Sequence, residues 1–130
     1  NYRYSENSLT TKYRKNYLEI QFQLIKFIED FFEENNHMNE KNKKEIDKII
    51  CDVIISSIQN LFLESSYLSH KEKKAILKQY VNLKETEKLQ NVVYNEKRLQ
   101  FLQKLILKKK VDTIIIYSEL KEILKKLLGR

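Results

Sequence analysis

Proline and tryptophan are absent from this chain of 130 residues, and glycine and alanine occur once each, as Gly129 and Ala75. Without proline and glycine an all-β fold has no supply of turn residues that tolerate positive φ. Long helices joined by polar loops need far fewer of them. The longest apolar runs, such as Val53-Ile54-Ile55 and Ile114-Ile115-Ile116, are far shorter than the ~20 residues of a membrane span. The polar, aromatic start Asn1-Tyr2-Arg3-Tyr4 is not a signal peptide. With one cysteine, Cys51, an internal disulfide is excluded. Cys51 lies in an apolar run with Ile49, Ile50, Val53 and Ile54 and reads as a small buried hydrophobe, in keeping with a reducing compartment.

Lys, Asn, Ile and Leu dominate what is present, a mixture expected of an AT-rich genome, so part of the Lys and Asn excess carries no functional information. The net charge of +7 is unevenly placed. Residues 1–36 hold five basic and six acidic side chains, residues 37–85 nine and seven, and residues 86–130 eleven and five. The basic excess thus belongs to the last third, where it could meet nucleic acid, anionic lipid or an acidic partner.

The first ten residues show no periodicity. Thr10 or Thr11 can cap a helix running to about Glu34. Tyr13, Tyr17, Ile20, Leu24, Phe27, Ile28 and Phe31 recur on one face of it, and Leu18, Phe22, Ile25 and Phe32 form a second stripe. A helix apolar on two sides should be covered on two sides and therefore central. After a polar linker at 35–42, a second helix is expected over about Glu40 to Glu64, with Ile46, Ile49, Ile50, Val53, Ile54, Ser57, Ile58, Leu61 and Phe62 on one stripe. Phe27, Phe31, Ile50, Ile54, Ile58 and Leu61 are the expected centre of the core.

Ser69-His70-Lys71-Glu72 has the S-x-x-E pattern of a capping box and opens a short helix with Ile76, Leu77, Tyr80 and Val81 inward. Residues 86–95 are ambiguous. Arg98 to Lys108 reads as a helix through Leu99, Leu102, Leu105 and Ile106, broken by Lys108-Lys109-Lys110. Asp112 can cap a last helix carrying Ile116, Leu120, Ile123, Leu124 and Leu127, which ends at Gly129. The fold class is all-α: an irregular bundle of four to six helices behind a short extended N-terminal segment.

Chemistry is sparse. His37 and His70 fall in expected loops, and neither has a partner at metal-ligand spacing. One terminal glycine cannot build a phosphate loop, and no H-E-x-x-H, G-x-S-x-G or C-x-x-C occurs. The acidic pairs Glu29-Asp30 and Glu33-Glu34 read as a solvated helix face. Eight tyrosines interleaved with Lys and Arg could stack on bases, yet most occupy helix-core positions and no nucleic-acid motif accompanies them. The last helix is basic and amphipathic. Lys108, Lys109, Lys110, Lys121, Lys125 and Lys126 form a candidate patch for an anionic membrane surface, set against the reading of an ordinary core helix with a charged outer face.

The segment from Tyr2 to Tyr13, Y-R-Y-S-E-N-S-L-T-T-K-Y, resembles a stretch of bacterial family 2 (GT-A type) glycosyltransferases. There an aromatic-rich run ending in S-x-[ST] closes the nucleotide-sugar domain, and helices rich in Leu, Ile, Lys and Tyr follow. Leu107 to Lys110 and Tyr117 to Lys121 are similar in style to such tails. The resemblance implies metal-dependent transfer of a sugar from a nucleotide diphosphate, in polysaccharide assembly at the cytoplasmic membrane. It implies an upstream α/β domain with an Asp-x-Asp motif binding Mg or Mn, of which this chain has none. Residues 1–12 would then be an extended linker from that catalytic domain, and 13–130 a helical C-terminal domain. Arg3 and Ser8 match positions near the donor diphosphate, where a guanidinium and a hydroxyl can bind phosphate oxygens; a loop that only ties two domains together is the other reading.

The expected role is accessory: acceptor recognition, membrane-surface docking at the inner face of the plasma membrane, or homo-oligomerisation. Its first partner would be its own upstream catalytic domain. A stand-alone helical interaction module is the first rival, and a nucleic-acid binder the second.

Overall fold

The computed structural model describes residues 12–129, and it is all-helical, with no strand among them. Five α-helices follow one another: α1 (Tyr17–Glu34), α2 (Glu40–Leu61), α3 (His70–Val81), α4 (Lys97–Leu107) and α5 (Val111–Leu127). Short 3-10 segments at Glu64–Ser66 and Lys84–Asn91 separate α2 from α3 and α3 from α4. The expected caps Thr10 and Thr11 lie outside the described residues.

The second helix is the centre. The three-and-four spacing from Ile46 to Leu61 buries nine of its side chains, including Cys51, Ile54 and Ile58. Asn39 caps its start by accepting from the Asn42 N–H at 2.8 Å. Ser57 is buried among the isoleucines, and its hydroxyl donates to the Val53 carbonyl at 2.7 Å, so its burial leaves no polar atom unpaired. Around α2 pack α1, α3 and the segment Lys84–Asn91; α5 packs on α3 and α4. Leu77, Val81, Leu89, Ile106, Ile114 and Ile115 complete a continuous core. The capping box at α3 forms in full: Ser69 Oγ accepts from the Glu72 N–H at 3.1 Å, and Glu72 accepts from the Ser69 N–H at 2.9 Å.

Helix ends show how a chain with one glycine turns corners. Asn36 (φ 59°) and Lys109 (φ 56°) adopt the left-handed conformation that glycine usually fills. His37 N–H then donates to the Phe32 carbonyl, and Lys110 N–H to the Leu105 carbonyl, closing α1 and α4. Gly129 (φ 76°) closes α5 in the same conformation.

Several expectations need correction. The first helix begins at Tyr17, so Tyr13 lies outside it; Asn16, at φ 60°, turns the chain into the helix. Nor is α1 central. It buries only the Leu18–Ile25 side, with Phe22 and Phe32 partly covered, and leaves the other stripe in solvent. Phe27 and Phe31 are therefore surface residues, Phe27 being 71% exposed. The second helix stops at Leu61, and Ile49 at the margin of its stripe is half exposed. Asp112 does not cap α5: Lys110 holds that position without a side-chain bond, and the Asp112 carboxylate pairs with Lys74 at 3.1 Å instead. The core side of α5 is Ile114 and Ile115, while Ile116, Leu120, Ile123, Leu124 and Leu127 face solvent. His70 is the first residue of α3 rather than part of a loop.

Candidate functional site

Arg3 and Ser8, the residues expected near a donor diphosphate, lie outside the described residues. Immediately after them the chain is firmly anchored. Tyr13 N–H donates to Ser65 Oγ at 2.6 Å. Asn60, near the end of α2, grips the backbone of Arg14 twice: its Oδ1 accepts from the Arg14 N–H at 3.0 Å, and its Nδ2 donates to the Arg14 carbonyl at 2.9 Å. A planar amide meeting both backbone groups of one residue does what a neighbouring strand would do. The incoming segment is thereby held on α2 although 46 residues separate the partners. The Arg14 guanidinium lies over the Tyr17 ring, 5.6 Å from its centroid.

Beside this anchor is a cavity of about 360 Å³ lined by Lys12, Arg14, Tyr17, Ser56, Gln59 and Asn60, with Leu63 at its edge. Two cations, two amides and the hydroxyls of Ser56 and Tyr17 make it a hydrogen-bonding, electropositive recess. It combines no nucleophile with a base.

A second polar constellation joins α2 to the connector between α3 and α4. Lys88 pairs with Asp47 at 2.9 Å. Tyr94 is buried and its hydroxyl donates to Asp52 at 2.8 Å, while Lys48 reaches Asp52 at 3.2 Å and lies over the Tyr94 ring. Burial, with the bond to Asp52 added, pushes the Tyr94 phenol far above its ordinary range. Cys51 lies beneath. Burial first, then the carboxylates of Asp52 and Asp47, raises its thiol to about 11, the opposite of an activated nucleophile. Tyr80 is raised to about 12, again chiefly by burial. These perturbed groups belong to packing, with each hydrogen bond serving to pin the irregular segment. Among the described residues no group of three or more His, Cys, Asp or Glu could hold a metal ion. His70 Nδ1 is 3.8 Å from Glu119, and His37 is exposed with no ligand partner.

The six candidate patch lysines are not one patch. Lys108, Lys109 and Lys110 are exposed where α4 turns into α5, whereas Lys121, Lys125 and Lys126 lie near the far end of α5. A rise of 1.5 Å per residue sets the two groups on the order of 20 Å apart. Lys125 pairs with Glu122 at 3.5 Å, and Lys121 is half-buried, its ammonium lowered first by desolvation and then by Arg98 and Lys125.

More conspicuous are the apolar faces that no described residue covers. On α1 these are Ile20, Leu24, Phe27, Ile28 and Phe31; on α5, Ile116, Leu120, Ile123, Leu124 and Leu127. Single exposed leucines are ordinary, but contiguous apolar stripes along two helices are not. No helix among the described residues is long and apolar enough to cross a membrane. The long-range bonds of Asn60, Ser65, Tyr94 and Gln103 escape a reading of periodicity, because each joins residues between 11 and 52 positions apart. No family model matches the chain, and comparison with curated proteins and with solved structures returns no match either.

Proposed function

We propose that this chain is the helical accessory region of a nucleotide-sugar-dependent glycosyltransferase, and that its work is docking rather than bond-making. The uncovered apolar faces of α1 and α5 are the observation that carries the docking role. Each of those side chains forgoes part of the ~1.5–3 kcal/mol that full burial contributes, which is the signature of a face kept for a partner.

The sugar-transfer setting rests on the resemblance of Tyr2 to Tyr13. It is supported by the anchoring of residues 13 and 14 on α2, which gives a preceding domain a fixed point of attachment to the bundle. The divalent metal would belong to that upstream domain. On this reading the region works at the cytoplasmic side of the membrane and positions the enzyme against an acceptor, an anionic surface or another copy.

The test is to express the gene with its upstream coding sequence and measure release of nucleoside diphosphate from nucleotide sugars with Mg or Mn. An upstream Asp-x-Asp domain with donor turnover is the expected result. A reading frame that opens close to Asn1, or an upstream product that binds no nucleotide sugar, would overturn it.

A further inference from the structure

The two uncovered faces have the same pattern. On α1 the exposed apolar positions are 20, 24, 27, 28 and 31, and on α5 they are 116, 120, 123, 124 and 127. Both run in steps of four, three, one and three. Within each, the steps four, three, four form a seam of alternating a and d positions, the spacing by which two helices interlock side by side. The helices also match in length, 18 residues in α1 and 17 in α5. Each seam is therefore of the right kind and extent to fill the other.

Their charges are complementary at one end. Helix α1 carries five acidic residues and one basic, Lys26, with Glu29, Asp30, Glu33 and Glu34 in its second half. Helix α5 is balanced overall, three basic and three acidic, but all three of its lysines, Lys121, Lys125 and Lys126, lie in its second half, and Lys108–Lys110 precede it. Within one molecule α1 packs on α2, and α5 packs on α3 and α4, so each seam points away from its own core. Pairing α1 with α1 sets two acidic helices together. The unlike pairing, with the helices parallel, sets the acidic end of α1 beside the lysine-bearing end of α5 as well as covering both apolar faces.

We infer that the chain self-associates by seating α1 of one copy against α5 of a second. About half of a side chain's roughly 200 Å² is exposed at each of the ten apolar positions of the two faces, so one contact buries on the order of 1,000 Å². A two-fold dimer uses the contact twice and reaches the ~1,200–2,000 Å² of a stable interface. Used once per copy, the same contact builds a head-to-tail chain. The inference rests on the docking role proposed above but not on sugar transfer. A monomeric chain sinks this inference alone, whereas an upstream region without donor binding sinks only the other.

The experiment is analytical ultracentrifugation of the full chain and of two double variants. Leu24→Lys with Phe27→Lys spoils the α1 seam, and Leu120→Glu with Ile123→Glu spoils the α5 seam, each with a charge that repels its intended partner. All four positions are exposed, and circular dichroism verifies that helix content is kept; if it is not, Leu24→Gln and Leu120→Gln form a milder pair. The native chain is expected to associate reversibly and more tightly at low salt. Each variant alone should be monomeric, and an equimolar mixture should restore a one-to-one complex through the intact α1 of one and the intact α5 of the other. A native chain that stays monomeric overturns the inference. So does a single variant that still self-associates, which would mean like-with-like pairing, or a monomer that binds phosphatidylglycerol vesicles through the α5 seam.

Discussion

Replacing Asn60 by alanine should release the segment that leads into α1 while leaving the bundle intact. The side chain makes two bonds to the backbone of Arg14, one accepted and one donated. A net ~0.5–1.5 kcal/mol for each gives about 1–3 kcal/mol for the pair. That energy holds Arg14 against the end of α2, and the change removes none of the buried side chains of that helix. The loss should therefore appear as local opening more than as global unfolding. In hydrogen exchange the Arg14 amide should lose protection by roughly 5- to 150-fold, since ~1.4 kcal/mol corresponds to tenfold. Amides of Ile54 and Ile58 should change far less. Asn60→Asp is the informative companion. It keeps an acceptor for the Arg14 N–H but faces the Arg14 carbonyl with an oxygen in place of a donor, so its effect should fall between the native chain and alanine. If the Arg14 amide exchanges at the native rate in Asn60→Ala, the anchor is not held by Asn60 and the reasoning fails.

The same geometry sets five further outcomes. Lys109→Gly should raise stability by up to about 1 kcal/mol in urea unfolding, because glycine carries no penalty in the left-handed turn that Lys109 now occupies. Ile54→Ala, at the fully buried centre of α2, should cost about 2–5 kcal/mol in the same assay. The Cys51 thiol should resist a thiol reagent such as DTNB until the chain unfolds, since it is buried and its thiolate is disfavoured. In acid, the capping box should weaken: the Ser69 bonds lower the Glu72 carboxyl from its ordinary 4.5, so its contribution is present above that value and lost as pH falls through the lowered one. In base, burial raises Tyr80 to about 12, so its contribution is full below the ordinary 10 and is lost as pH rises toward 12; a Tyr absorbance titration of native and unfolded chain checks the sign.

How far the sequence could be read differs from helix to helix. The stripe from Ile46 to Leu61 makes the second helix and most of its inward face legible, although the burial also takes in Ile55, off the stripe, and leaves out Ile49. The capping box before α3 is equally legible, because it is a local pattern with a local cause. On α1 and α5 the pattern shows two apolar faces without showing which meets the core. Burial is non-directional, and Phe27 and Phe31 are as apolar as Phe22 and Phe32. The choice is made by α2, which touches one face of α1 and leaves the other uncovered. Asp112 was a reasonable cap by residue type, but Lys74 on another helix competes for it. Residues 86–95 are ambiguous for a physical reason: the 3-10 helix Lys84–Asn91 does not follow the 3.6-residue period, and beyond it the backbone is held by side chains of α4.

That last feature has a consequence in time. The amide of Gln103, on α4, donates to the carbonyls of both Leu89 and Val92, and Gln100 on the same helix donates to the carbonyl of Tyr94. Both donors stand on one helix and reach back 6 to 14 residues. The connector is thus clamped from two sides, by α4 through these carbonyls and by α2 through Lys88–Asp47 and Tyr94–Asp52. If the α4 clamp closes after the folding barrier, Gln103→Ala should speed unfolding and leave the folding rate near native, which stopped-flow kinetics in urea checks.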